Sequence, residues 1–411
     1  MSTYFEDLSL SEPILRALNE EKYETPTAIQ RAAIPELLAG RDLLATARTG
    51  TGKTAAFALP ILQRLNQTRT KKRRGIRCLI LTPTRELALQ VEDSLRRYGR
   101  HLPIRTAVIL GGVPQSTQIK ALKRKPDILV ATPGRLIDLR DQGFVRLEKA
   151  EMLVLDEADR MLDMGFVRDV RRIVSELPHD RQTMFFSATM SPDVIRLAAD
   201  MLQDPAEVAV SPPASTSETV TQQVLFVRRT NKLALLTMIL KEHAMERTLV
   251  FTRTKHRADR LMRHLAREGI SADSIHSNKT QKARQKALAA FDRGEIKVLV
   301  ATDIVARGID VLGISHVVNY EMPNDPESYV HRIGRTARAG ADGIAVSLCD
   351  SEEVKMLKEI ERLTNDTIVT VDDHPFHSDL IASLRLDRPA TRRPSLRRRA
   401  RPRRPVARRV R

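Results

Sequence analysis

Short apolar runs recur along the chain, and each is followed by a longer segment whose apolar residues return every three or four positions. In the first half they fall at 78–83, 106–110, 128–131, 152–155 and 183–187. Runs this short, apolar on both faces and alternating with helical periodicity, predict a parallel sheet covered by helices on both sides. A stretch of turn-formers without large apolar residues, Ser-Pro-Pro-Ala-Ser-Thr-Ser-Glu at 211–218, interrupts the pattern, which resumes at 248–251, 297–301, 316–319 and 344–348. The chain therefore divides into an α/β domain over 1–207, a linker over 208–218 and a second α/β domain over 219–375. Beyond that, periodicity fades into a Pro- and Arg-rich end, 376–411, which cannot bury enough surface to offset its ordering entropy and is expected to be disordered when free.

Composition changes the picture at two points. The formal net charge is +18, and residues 388–411 hold twelve Arg with no Lys, Asp or Glu, so this tail supplies +12 and the rest of the chain +6. Such a tail is a separate electrostatic object suited to a polyanion. The two cysteines, Cys78 and Cys349, lie in apolar runs with no CxxC or clustered His nearby, which predicts a reducing compartment and no zinc site. No signal pattern opens the chain and no apolar stretch reaches membrane-spanning length, so a cytoplasmic protein without a membrane partner is expected.

Candidate chemistry begins at Ala47-Arg-Thr49-Gly50-Thr51-Gly52-Lys53-Thr54, between an apolar run and an Ala-rich helical start. Glycines let backbone N–H groups turn inward around phosphate oxygens at a helix N-terminus, Lys53 adds a point charge and Thr54 a hydroxyl for Mg²⁺. The first position of the usual P-loop is Gly, and Ala47 departs from it. The run at 152–155 ends in Asp156-Glu157-Ala158-Asp159. An acidic cluster at the C-terminal edge of a parallel sheet lies beside a P-loop crevice, where Asp156 can hold Mg²⁺ through its water shell and Glu157 can orient and deprotonate an attacking water. The bland reading, a solvated helix cap, suits the four residues alone but not beside Lys53.

Three further loops follow expected strands: Pro83-Thr84-Arg85-Glu86-Leu87, Gly111-Gly112 and Thr132-Pro133-Gly134-Arg135. Each offers free N–H groups, a hydroxyl or a guanidinium, which suits phosphate contacts that ignore base identity.

Asp156-Glu157-Ala158-Asp159 is the signature of the DEAD-box helicases, and the chain resembles that family through nearly all of 1–375. The resemblance implies two RecA-like domains, ATP with Mg²⁺ as cofactors, and ATP-driven local unwinding of RNA held by its backbone. Tyr23-Glu-Thr-Pro-Thr-Ala-Ile-Gln30, with the isolated Phe5 before it, looks like the family's adenine-reading motif; an aromatic stacks on the purine and an amide donates and accepts at its edge. The three loops above match RNA-binding loops. Ser187-Ala-Thr189 resembles the element coupling hydrolysis to strand separation. In the second half the resemblance places Thr302 and Gly308 along RNA, Asp303 and Arg307 in coupling, Asp310 and His331 near ribose and water, and Arg335 and Arg338 at the γ-phosphate. Gln281 and Arg284 match a family RNA-contacting pair. Lys22, Arg48 and Ala337 depart from usual family residues without removing a phosphate or metal contact.

The segment 275–281 with Arg284 looks like the bacterial RhlE subgroup, with Ser277 where Gly is common. A monomer is expected, with ribosomal precursors or RNA-decay proteins as partners and the Arg-rich tail as an RNA tether. Two rivals share the motifs: an ATP-gated RNA clamp without productive unwinding, and a duplex-DNA translocase, which Gln30 and the Asp-Glu-Ala-Asp pattern disfavour.

Overall fold

The computed structural model describes residues 4–47, 50–68, 75–210, 220–242, 245, 247–303, 313–337 and 342–386. Two parallel sheets of seven strands carry the two halves of the chain. The first comprises β1 (Leu43–Thr46), β2 (Cys78–Leu81), β3 (Thr106–Ile109), β4 (Ile128–Ala131), β5 (Met152–Leu155), β6 (Gln182–Ser187) and β7 (Ala206–Ala209), in the order β3-β4-β2-β5-β6-β1-β7. The second comprises β8 (Val220–Phe226), β9 (Thr248–Phe251), β10 (Ala272–Ile275), β11 (Val298–Ala301), β12 (His316–Asn319), β13 (Gly343–Cys349) and β14 (Val369–Thr370), in the order β10-β11-β9-β12-β13-β8-β14. Counted within each half, the two orders are the same, so the halves share one topology.

Strands β2, β4, β5 and β11 are apolar at every position because both faces of their sheets are covered. Along β2, Cys78 and Ile80 enter the core on one side of the sheet, while Leu79 and Leu81 enter the core on the other. Parallel order also sends every strand's C-terminal end to the same edge, which is where ligand-binding loops of open α/β sheets gather.

Two expected boundaries need correction. Strand β7 pairs with β1 through Ala209, so the first lobe runs past 207 into the expected linker. The second lobe does not stop at 375: His377 bridges to Val227, and helix Asp379–Leu386 follows with Ile381 buried and Arg385 bonded to Glu361. Ile381 and Ala382 on the core, with Arg385 reaching Glu361, Thr370 and the Ile368 carbonyl, dock a short helix that periodicity alone is too brief to reveal. The Arg-rich residues 387–411 lie outside the described ones. No helix among the described residues is long and apolar enough to cross a membrane.

Candidate functional site

At the end of β1 the Ala47 N–H donates to the Ser187 carbonyl at 2.9 Å, and the chain then turns through Gly50, Thr51 and Gly52 into helix Lys53–Gln67. Gly52 has φ +92°, and a Cβ there would collide with the Gln30 amide. That amide is committed at both ends: Nε2 donates to the Gly52 carbonyl at 3.0 Å, and Oε1 accepts from the Thr27 N–H at 2.8 Å. Gln30 thus fixes the phosphate loop from behind. Lys53 is 6% exposed and its Nζ has no hydrogen-bond partner, and Asp156 Oδ1 is buried in the same condition. Buried polar atoms without partners are rare because each costs its full desolvation. Here a cation and a carboxylate oxygen stand buried without partners, a donor set that fits a triphosphate and a hydrated divalent ion. Thr54, half-buried on the first turn of the same helix, adds a hydroxyl.

Burial pushes the Asp156 carboxyl up to about 6 against the pull of Lys53. Its neighbour goes the other way. Burial would also raise Glu157, but Arg160, Lys53 and Arg335 together hold it well below the usual carboxylate range. Glu157 stands at φ +57°, a left-handed conformation that costs a side-chain-bearing residue about 1–2 kcal/mol. This turn ends β5 and starts helix Ala158–Asp163, and it lets Glu157 pair with the buried Arg160. Asp159 reaches sideways. Its Oδ2 accepts from the Ala188 and Thr189 N–H groups, both at 3.0 Å, and from Thr189 Oγ1 at 3.3 Å. The acidic cluster is thereby tied to the segment Ser187-Ala188-Thr189, whose Ser187 Oγ donates to the Thr189 carbonyl at 2.7 Å.

From the second lobe, Arg335 is buried close enough to Glu157 to stabilise its charge. It leaves the end of helix Pro326–Ile333, and its Nε donates to the His331 carbonyl at 3.1 Å. Arg332 does something else. It is 1% exposed, bonds both oxygens of Asp303 and the Asn319 side chain, and lies 4.9 Å over the Phe251 ring. It is a core residue, so Arg332 does not share a face with Arg335, and Asp303 is engaged in holding it. Thr49, Arg307, Gly308, Asp310 and Arg338 lie outside the described residues. Thr302 is buried just after β11.

The expected loops do converge. Pro83, Thr84, Arg85, Gly111, Thr132, Gly134 and Arg135 line one cavity of about 300 Å³, together with Met164, Phe166, Ser277 and Arg284. Arg85 lies against the backbone of Gly111 and Gly112, and Gly112 at φ +76° has no room for a Cβ beneath the guanidinium. Thr84 serves locally as the cap of helix Arg85–Tyr98, accepting from the Leu87 N–H at 3.3 Å. Pro133 is buried in the first turn of its helix. Gln281 and Arg284 are placed differently from expectation. Both are buried, and both bond Glu86 of the first lobe: Gln281 Nε2 donates at 3.0 Å and Arg284 Nη2 at 2.6 Å. Glu86 is the residue that motif reading passed over. A lone carboxylate in a loop otherwise suited to phosphates repels RNA and needs a cationic partner, which is the signal that could have found it.

On the nucleotide side, Tyr23 is 40% exposed with its ring centroid 6.1 Å from Tyr98, and it lines a small cavity of about 150 Å³ with Phe5. Phe5 itself is 4% exposed and packs in the core, so it backs this wall and offers no free face for stacking.

Two parallel-sheet lobes, with a phosphate loop and acids in one and an arginine reaching them from the other, define a nucleotide-driven enzyme that works between domains. Residues 27–197 match the DEAD/DEAH box helicase family, and residues 231–340 match the helicase conserved C-terminal domain. Over 360 residues the chain is 43% identical to the ATP-dependent RNA helicase CshA of Limosilactobacillus reuteri, covering 88% of this chain and 72% of that one. S. cerevisiae Dbp5 bound to RNA and ADP BeF3 superposes with a TM-score of 0.81 at 30% identity, over 90% of this chain and 96% of that one. A DEAD box protein from Methanococcus jannaschii is 38% identical and superposes at 0.53, over 90% of this chain and 99% of that one. The chain belongs to the DEAD-box ATP-dependent RNA helicases.

Proposed function

We propose that RNA lies in the cavity between the lobes and that closure on it assembles the ATPase centre. Lys53, Thr54 and the N–H groups of the phosphate loop hold the triphosphate, Asp156 would hold Mg²⁺, Tyr23 favours adenine, and Gln30, its amide already engaged, braces the loop in place of reading the base. Bound Mg²⁺ would neutralise phosphate charge. Glu157, kept ionised by Arg160, accepts the proton of the attacking water. Arg335, joined by Arg338 and His331, stabilises charge on the transferring phosphoryl group. Asp159 reports the state of that centre to Ser187-Ala188-Thr189.

The observation that carries this reading is that the charge of Arg335 acts on Glu157 from the other lobe, beside the unpartnered Lys53 Nζ and Asp156 Oδ1. The less identical of the two solved relatives superposes better on this chain, which supports a lobe arrangement of the RNA- and nucleotide-bound kind. The Glu86 bridge to Gln281 and Arg284 favours a second use of the same state, a clamp that grips RNA without separating strands. The segment 275–284 supports an RhlE-like subgroup, whereas relatives 42–43% identical are named CshA; we therefore assign the bacterial DEAD-box type and leave the RNA target, with ribosomal precursors and decay complexes as candidates, to crosslinking. The test is RNA-stimulated ATP hydrolysis and short-duplex unwinding with Glu157→Gln as control. We expect turnover to fall by about 10²–10⁴ while ATP and RNA still bind; a variant that keeps turning over ATP removes Glu157 from the mechanism, and ATPase without unwinding selects the clamp.

A further inference from the structure

Helix Lys255–Arg267 leaves the C-terminal end of β9 and buries Ala258, Leu261 and Leu265 against the sheet. Its opposite face carries His256, Arg260, Arg263 and Arg267, all exposed. The spacing of four, three and four residues sets them in one row about 16 Å long. The helix has a single acid, Asp259, which faces away to accept from Ser274 Oγ and to pair with His276. Flanking acids are also committed: Glu268 pairs with Lys241, and Glu321 pairs with Arg257.

Many surface arginines here pair with carboxylates, as Arg96, Arg97, Arg171, Arg172 and Arg196 do, while others, such as Arg146, Arg168, Arg228 and Arg362, stand unpaired but singly among the described residues. The helix Lys255–Arg267 differs in aligning three unpaired ones in one row. Arg260, Arg263 and Arg267 have no carboxylate in ion-pair reach among the described residues. A self-repelling row without counterions is a cost unless an external anion covers it.

The row also begins in the right place. The second sheet runs β10-β11-β9-β12 along one edge. Ser277, just past β10, lines the RNA cavity. Arg253 follows β9, and Tyr320 follows β12, with Arg257 and Arg260 close enough for their charges to act on its phenol. Tyr320 itself packs against the core, so what the row offers a strand is guanidinium groups for its phosphates, whatever its bases.

We propose that this face is a second RNA surface, taking phosphates of a strand that has left the cleft. The proposal rests on RNA being the substrate but not on the roles given above to the ATPase residues. The test uses the full chain and its Arg260→Gln/Arg263→Gln/Arg267→Gln variant, all three sites being exposed, with Mg²⁺ and a non-hydrolysable ATP analogue. Binding is measured to a short RNA that fills only the cleft and to the same RNA with single-stranded extensions. The Arg-rich tail is present in both proteins and cancels in the comparison. Loss of three phosphate contacts should weaken binding of the extended RNA about tenfold and make its log–log salt slope shallower by about 2, with the short RNA unaffected. Equal affinity and slope for the extended RNA in both proteins would overturn the proposal and leave the row a solvated face. An equal loss for short and extended RNA would overturn it too, by placing the effect in the cleft.

Discussion

Glu157 meets two demands at one backbone position. It must stay ionised in a buried site, and it must point at a neighbouring ligand; the left-handed turn and the Arg160 partner supply both. Arg160→Met keeps the volume but strands a buried carboxylate beside the raised Asp156. We expect a loss of roughly 3 kcal/mol in the stability of the first lobe, read by urea denaturation, because breaking a buried pair leaves an uncompensated charge. A variant as stable as the parent would mean that Lys53 alone neutralises the pair of acids. At this scale the sequence was informative where chemistry is local: Lys53, Asp156 and Glu157 sit where spacing put them. It was silent on Glu86 and Arg160, whose roles are defined by partners and not by neighbours in sequence. Arg332 and Arg335, three residues apart, part company because the helix ends at Ile333: Arg335 occupies a turn, while Arg332 enters the core.

Among elements, the buried four-residue strands were legible because covering both faces makes them largely apolar. Strand β8 was not, since it carries Thr221, Gln222 and Gln223. Its Gln222 is buried because the Tyr329 hydroxyl donates to it at 2.9 Å, a compensation no local pattern announces. Strands β7 and β14 lie at sheet edges, where the apolar signal is weakest. The loops after β2 and the helix Gln281–Asp292 interact through Glu86, and this joint can be isolated. Glu86→Gln and Arg284→Met should each weaken RNA binding in the presence of an ATP analogue by about tenfold, with the double variant little worse than either, a coupling on the order of 1 kcal/mol. Additive losses would assign Arg284 to RNA directly, as the family resemblance first suggested.

Across the whole molecule, the repeated strand order sets two equivalent sheet edges against one cleft. Tandem domains and their α/β class followed from alternation along the chain, whereas their closure on one another did not, because it depends on a few side chains from distant segments. In the proposed function RNA and ATP each touch both lobes, so each would favour the closed state and thereby the binding of the other. Closure would act on chemistry through Arg335. The most direct measurement is therefore RNA-stimulated turnover of Arg335→Lys, which keeps the charge but loses the planar fork. A fall in kcat of about 10³ or more is expected, with ATP and RNA affinities within a few-fold of the parent. Turnover within a few-fold of the parent would contradict it, because the second lobe would then contribute nothing to the reacting phosphate.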